Sequence, residues 1–502
     1  MRGRSLFRCL RSPWVLQRTA ASHRIVHARP LTRPNSTQHR PYSVSTAPPR
    51  LGQPTHETHP HLLNPGEITP GLSAIEYAVH RARLAAELPE GALAIIPSAQ
   101  TKYRSGPVFY EFHQDPDFYW LTGFLEPDAV CVIESLGAEG NGEHVFHMFV
   151  HGKDAHKELW DGPVTGVENA MEYFNADQAY DIGDLRRELP NLIRRASAVF
   201  TDAVPTTHRP QPIDSFKQMF VPQGSGLIET HLQNAKIRPL KHILHELRVI
   251  KSDAEVAVMR KAGKWSGRAI TQAMGESFED EKGLADYLDY RFKVNGCDKV
   301  AYVPVVAGGA NALTIHHTRN NDPFKDGDMV LVDAGGQYGG YVSDITRTWP
   351  VNGKFTEPQR ALYEAVLNVQ RECVKMCRES SGLSLTDIHN VAEYGLREQL
   401  LQLGFNLDNG VLSSILFPHH VGHYVGVDLH DCGTSSKYKK LRTGMVVTIE
   451  PGVYVPDDER FPKHFRNIGI RIEDCVYVGE EHPVVLTTEA VKEVVDIESL
   501  RD

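Results

Sequence analysis

Four carboxylates in the second half of this chain stand where a carboxylate is costly. Asp333 closes the apolar run Met329-Val330-Leu331-Val332, and Glu450 closes Val446-Val447-Thr448-Ile449. Asp344 opens Asp344-Ile345-Thr346-Arg347-Thr348, which alternates as a strand does, and in Gly469-Ile470-Arg471-Ile472-Glu473-Asp474 the polar Arg471 and Glu473 share one strand face. Gly335, Gly336, Gly339 and Gly340 allow a hairpin, so Asp333 and Asp344 can meet across one antiparallel pair. An unpaired carboxylate withdrawn from water costs several kcal/mol, so four facing one cavity need positive charge. Two divalent cations would balance them, and an oxygen-rich set with one imidazole suits Mn²⁺ or Co²⁺ ahead of Zn²⁺ or Mg²⁺. Arg347 and Arg471 are the alternative counterions.

Histidines gather in the same half. His316 and His317 follow an apolar stretch, and His419, His420, His423 and His430 lie within fifteen residues of one another. His419 and His423 are four apart, as on a zinc-binding helix, but Gly422, Gly426 and the β-branched Val421, Val425 and Val427 favour strand and loop. One of these imidazoles is expected to bind metal, the others to donate protons or hydrogen bonds around it.

The elements that must position these groups are legible in outline. Gly327 to Gly335 and Gly444 to Gly452 share one template, a glycine, a buried strand, a carboxylate and a second glycine, which suggests a duplicated half-domain. Helices such as Pro358 to Cys377 alternate with these strands, as in an α+β domain with an antiparallel sheet. Leu240, Ile243, Leu244 and Leu247 mark an amphipathic helix, and Ser252-Asp253-Ala254-Glu255 offers a capping box, so a domain boundary is expected near residue 240. Before it, from 71 to 239, short apolar runs (92–96, 130–133, 144–149) alternate with helical stretches such as 75–88, an α/β pattern without a chemical cluster.

Charge divides the chain differently. Residues 1–56 hold ten Arg and no Asp, Glu or Lys, so of 54 basic and 63 acidic residues the remainder keeps 44 against 63, a balance that does not seek nucleic acid. Arg4, Arg8, Arg11 and Arg18 fall near one side of a potential helix, with Leu6, Phe7, Leu10 and Trp14 near the other. This Arg-only, acid-free segment resembles a mitochondrial presequence over 1–42, with Arg40-Pro41-Tyr42-Ser43 as its boundary and the aperiodic, Pro- and His-rich 43–70 as a leader. No apolar run spans a membrane, and seven scattered Cys without CxxC spacing fit a reducing compartment.

Taken in order, Val332-Asp333-Ala334-Gly335, Ser343 to Thr348, His419 to His423, Ile449-Glu450-Pro451-Gly452 and Arg471 to Asp474 resemble the metal-binding motifs of the aminopeptidase P and prolidase family. Phe112 to Phe124 and Glu126-Pro127-Asp128 extend the resemblance into the amino-terminal half. It implies an α/β amino-terminal domain over 71–239 and an α+β pita-bread metallopeptidase domain over 240–502, with a curved, mainly antiparallel sheet. It further implies two divalent ions per subunit, most readily Mn²⁺: Asp333 on one, His423 and Glu450 on the other, Asp344 and Glu473 bridging. Glu450, His430 and His316 take catalytic positions, and His419, Arg471 and Tyr454 contact substrate or support the ligands. Tyr119 falls where the family has a Trp that reaches toward a neighbouring subunit, and His420 where bacterial members have Gly.

With the presequence, the pattern is similar to the mitochondrial branch that trims one destabilising residue from imported proteins, and Tyr42 before Ser43 makes the chain a candidate substrate of itself. The expected partners are peptide or protein amino termini and a second or fourth copy of the chain, without nucleic acid or membrane insertion, on the matrix side. Prolidase, which cuts dipeptides, is the nearest alternative; the large amino-terminal domain argues against a methionine aminopeptidase. A non-catalytic binding protein on the same fold is the alternative from another class, but such relatives have lost ligands and all five positions are filled here.

Overall fold

Helix ends follow the capping chemistry. Ser252 Oγ accepts from the Glu255 amide at 3.2 Å while Glu255 Oε2 accepts from the Ser252 amide at 2.7 Å, closing the expected box at the start of helix Asp253–Met274, a device worth about 1 kcal/mol. Boxes at Thr356 and Ser384 begin helices Glu357–Lys375 and Leu385–Gln402. In this computed structural model residues 48–137, 140–203, 228, 232, 236–408 and 410–501 are described; the expected presequence and its cleavage boundary lie outside them.

The amino-terminal part is a mixed six-stranded sheet in the order Ile237–Arg238, Val199–Phe200, Leu93–Pro97, Val130–Ser135, His144–Val150 and Gln178–Asp181. Alternation divides its residues between two cores. Ala94, Ile96, Cys131, Ile133, Phe146 and Met148 pack with Leu84 of the first helix, Ala74–Ala86, with Leu88 just after it, and with Phe118 and Trp120. Leu93, Ile95, Val130, Val132 and Phe149 pack on the other face with Leu185, Leu189 and Leu192 of helix Leu185–Arg195.

The leader needs correcting. From Pro48 onward it belongs to the same compact unit as the rest of the described chain. Gln53 is buried, its Nε2 donating to Gly123 O at 3.1 Å and its Oε1 accepting from the Leu125 amide at 2.8 Å, and Glu67–Thr69 pairs with Leu72–Ser73. A Pro- and His-rich segment without periodicity can still be fixed by a few side chains that satisfy neighbouring backbone groups.

The second half is built on two interrupted hairpins of the same layout, every pair antiparallel. In the first, Met329–Asp333 pairs with Thr346–Pro350 and Gly336–Tyr338 with Tyr341–Val342. In the second, Val446–Ile449 pairs with Asp474–Tyr477 and Gly452–Val455 with Ile468–Arg471. Helices 253–274, 281–295, 357–375 and 385–402 share one apolar cluster with these strands, joining Ile270, Leu288, Val366 and Leu396 to Val330, Val332, Trp349, Val447 and Val476. Among the described residues no helix is long and apolar enough to cross a membrane.

The two parts meet around Glu255, whose Oε1 accepts from Trp120 Nε1 at 3.0 Å and Tyr341 Oη at 2.7 Å. His80 stacks on Trp120 at 4.2 Å between ring centres, with Glu76 and Glu255 3.6 and 3.7 Å from its Nε2. Tyr119, which replaces the family's Trp, closes the same joint. It is 2% exposed and donates to Gly339 O at 2.6 Å, so it seals this intramolecular joint and does not reach toward another subunit.

Candidate metal centre

The breaks in the two hairpins assemble the site. The sequence suggested acids inside strands; only Asp333 is in one, at its end, while Asp344, Glu450 and Glu473 occupy the interruptions. Asp333 pairs in register with Thr346, not with Asp344. Leaving the pleat at these points lets side chains that would alternate between faces converge on one side. Gly335 makes the first break possible, because a Cβ there would stand 1.8 Å from Ser343 O. The breaks are tied together where the Glu473 amide donates to Thr346 O at 3.0 Å and Thr346 Oγ1 donates to Glu473 Oε2 at 2.7 Å.

His423 enters from a separate loop. A Cβ on Gly422 would lie 2.0 Å from Thr448 O, so glycine is what lets this loop run against strand 446–449. The Thr448 amide donates to His423 O and the Glu450 amide to Val421 O, both at 2.8 Å, which sets His423 beside Glu450. Nδ1 of His423 donates to Tyr424 O at 3.0 Å and so keeps its proton. Nε2 faces Asp344 Oδ2 at 3.3 Å and Glu450 Oε1 at 3.8 Å. A carbonyl on one ring nitrogen and acids around the other is the arrangement of a metal-binding imidazole.

The guanidinium alternative is decided by distance. Arg471 Nη2 lies 2.7 Å from Asp333 Oδ2, but Arg347 turns away from the site and pairs with Asp474 at 2.7 Å. Among the described residues Asp344, Glu450 and Glu473 have no lysine or arginine ion pair, and oxygen and nitrogen atoms of Asp344, His423 and Glu473 all lie within 4.8 Å of one another. The donor set therefore fits divalent ions: three acids in excess of fixed cations, two buried and Glu450 partly so, an oriented imidazole and, among the described residues, no competing lysine.

Tyr302 carried no signal in the sequence. Its hydroxyl lies 2.6 Å from both Asp333 Oδ1 and Asp344 Oδ1. One phenolic proton serves one contact at a time, so the other needs a proton on the acid or a cation among the oxygens. Burial, with the neighbouring acids, raises the phenol well above its ordinary value and keeps it a donor. The strand pairing Lys299–Val300 with Gly336–Gln337 and the Ala301 amide on Gly335 O at 2.8 Å place it opposite the first break.

The remaining expected residues separate into two groups. Arg471 Nη1 donates to Tyr454 Oη at 2.7 Å, Tyr454 donates to His419 Nε2 at 3.0 Å, and His419 Nδ1 donates to His420 O at 2.9 Å. Both ring nitrogens of His419 are thus engaged inside the protein, and burial with the Arg471 charge lowers its pKa to about 3. His430 and His316 are exposed. The His430 ring packs edge-on against His423 at 4.3 Å, and the charge of His316 reaches it as well.

Without metal, Glu450 and Glu473 hold protons more tightly than free carboxyls do. Burial pushes Glu450 up to about 7 and Glu473 well above the usual carboxylate range, whereas Asp344, though buried, is drawn down by its bond from His423. His423, despite burial, is raised to about 9 by Asp344 and Glu450. Because Glu450 and His423 bind protons more tightly folded than unfolded, the stability they contribute is complete below their unfolded pKa values. It is lost as pH rises through about 7 and then about 9, at up to ~1.4 kcal/mol per pH unit for each proton. Chelated protein is therefore expected to melt progressively lower between pH 7 and pH 9, while metal-saturated protein does not. Parallel melting curves for the two forms across that range would contradict this.

Buried acids, an oriented imidazole and an open side lined by histidines define a metal-dependent hydrolase on paired antiparallel hairpins. The chain belongs to metallopeptidase family M24, whose model matches residues 257–480, and the aminopeptidase P amino-terminal domain matches residues 77–200. Intermediate cleaving peptidase 55 of Saccharomyces cerevisiae is 45% identical over 457 residues, covering 90% of this chain and 89% of that one. Human Xaa-Pro aminopeptidase 3 is 37% identical over 510 residues, 97% and 99% of the two chains. Among solved structures, Icp55 of Saccharomyces cerevisiae superposes with a TM-score of 0.79 at 43% identity, covering 87% of this chain and 99% of that one. Zinc-substituted aminopeptidase P of E. coli in complex with product gives 0.76 at 29% identity, covering 86% and 98%. The protein is a metallo-aminopeptidase of the pita-bread architecture, acting on peptides and using divalent metal.

Proposed function

We propose that Asp333, Asp344, His423, Glu450 and Glu473 hold two divalent ions, manganese for preference, and that the enzyme removes one residue from the amino terminus of Xaa-Pro peptides and of mitochondrial processing intermediates. The observation that supports this reading most is the excess of three carboxylates over fixed cations around one oriented imidazole, Asp344 and Glu473 buried and Glu450 partly so. Ions in such a site polarise a carbonyl and make water acidic near neutral pH.

The chain's own groups do the rest. Glu450, beside His423 on the site's wall, is placed to take a proton from water and return it to the leaving nitrogen. His430, on the exposed side of the site, donates a hydrogen bond to the oxygen on which charge develops. His316 orients the peptide beyond the cleaved bond. Arg471, held by Tyr454 and His419, fixes Asp333 beside the substrate's free amine. Selection of that amine limits cleavage to the first residue.

Residence in the mitochondrial matrix and assembly as a dimer or tetramer complete the proposal, supported by the arginine-rich amino terminus and by the plant relative named intermediate cleaving peptidase 55, mitochondrial. The test uses two peptides longer than three residues, one beginning Xaa-Pro and one Tyr-Ser, with manganese-loaded protein lacking residues 1–42. Mass spectrometry is expected to show loss of a single residue from each. Cleavage confined to Xaa-Pro dipeptides would mark a prolidase instead.

A further inference from the structure

Glu281 is a fully buried carboxylate in the first turn of helix Glu281–Asn295, outside the metal centre. Its Oε1 accepts from the Gly308 amide at 2.9 Å and from Asn311 Nδ2 at 2.8 Å. Its Oε2 accepts from His317 Nε2 at 3.0 Å and from the amides of Asn321 and Asp322 at 3.0 and 3.1 Å. All five donors come from the single stretch 308–322, and three are backbone amides. The stretch is held in return, since the Glu281 amide donates to Asp322 O at 3.0 Å and Asn320 ties Val306 and Pro304 to the loop.

This stretch leaves strand Val305–Gly308, whose Val305 pairs with Asp333, and it carries His316, which is exposed as His430 is. An ionised carboxylate is tolerated in the interior when donors surround it. Here the donors are the loop itself, so the path of the loop and the charge of Glu281 specify each other. Beyond Gly308, which pairs with Val330, residues 309–322 include only a short 3₁₀ turn, Gly309–Leu313; Ala312, Leu313 and Ile315 pack near Leu331 and Tyr454, and Glu281 gathers the polar groups on either side of His316.

We propose that Glu281 is a positioning residue for the aminopeptidase reaction, fixing His316 at the substrate by organising the 308–322 stretch around its carboxylate. This rests on the reading of His316 as a substrate-contacting group. Glu281→Gln keeps the shape but turns an amide NH₂ toward donors. In the metal-loaded enzyme it is expected to lower kcat/KM about 30-fold, the scale of a small misplacement at a reacting centre. Metal content stays at the wild-type level, and the loss divides between kcat and KM as it does for His316→Ala. In the His316→Ala background the same substitution costs less than about twofold. Equal losses in the two backgrounds, or loss of metal with activity, would overturn the proposal, as would an inert His316→Ala. Should Glu281→Gln not accumulate folded, His317→Leu removes one of the five donors. It is expected to cost about threefold alone and nothing beside His316→Ala, and equal losses again overturn it. A wild-type enzyme that turns over no peptide fails the parent reading instead, and this one with it.

Discussion

Alanine at Asp344 or at Glu473 abolishes metal uptake and peptide turnover together. Each acid occupies the interruption of its own hairpin, and the two meet because the Glu473 amide and Thr346 O join the hairpins at that point. Asp344 touches Tyr302 and His423, and Glu473 accepts from Thr346, so neither side chain can be replaced by a neighbour on the same strand. On the proposed assignment, deleting either removes a shared oxygen ligand and leaves the others to settle their charge with protons, which burial already favours at Glu450. Without ions the pKa of the attacking water returns from about 7 toward 15.7, so a fall in turnover of more than about 10³-fold is expected. Metal analysis, a peptide assay and circular dichroism on the same preparation check it. A folded variant of either kind with wild-type metal content or turnover would refute the shared-ligand assignment.

The second large effect is on folding. Arg347 is wholly buried and pairs with Asp474 at 2.7 Å, and Asp474 also accepts from Gln370 at 2.8 Å, Thr487 at 2.8 Å and Lys492 at 2.6 Å. Burial pushes that carboxyl up, but Arg347 and Lys492 together hold it at about 2. The same guanidinium donates to Thr346 O, to Glu473 O, and to Ala490 and Val491 O, so it clamps both hairpins to the segment after the last strand. Removing one partner of a buried pair costs about 3–5 kcal/mol, because the other charge is left in the interior. Arg347→Met is expected to lose about that much in urea unfolding of the metal-loaded protein, toward the lower figure because Lys492 remains. A change below about 1 kcal/mol would mean that the clamp contributes little.

Arg347 also shows where the sequence stops being informative. Arg347 and Arg471 sit in similar alternating segments and looked interchangeable as counterions to the acids. Which acid each meets depends on contacts 127 and 138 residues apart, set by how two hairpins lie against each other. Asp333 and Glu450 were visible because an acid closing an apolar run between glycines breaks the pattern around it. The helix start at Ser252 was local and therefore legible. Tyr302 was not, since a tyrosine in Val300-Ala301-Tyr302-Val303 is indistinguishable from core until the register of its flanking strands sets it opposite Gly335. Gln53 was hidden for the same reason, in a segment whose composition suggested only a leader.

Crystals grown with manganese, and anomalous diffraction collected at its absorption edge, address the central claim directly. Two peaks are expected, with carboxylate oxygens of Asp344 and Glu473 reaching both and Nε2 of His423 reaching one. A map without density among Asp333, Asp344, His423, Glu450 and Glu473, from crystals of active enzyme, would contradict the account.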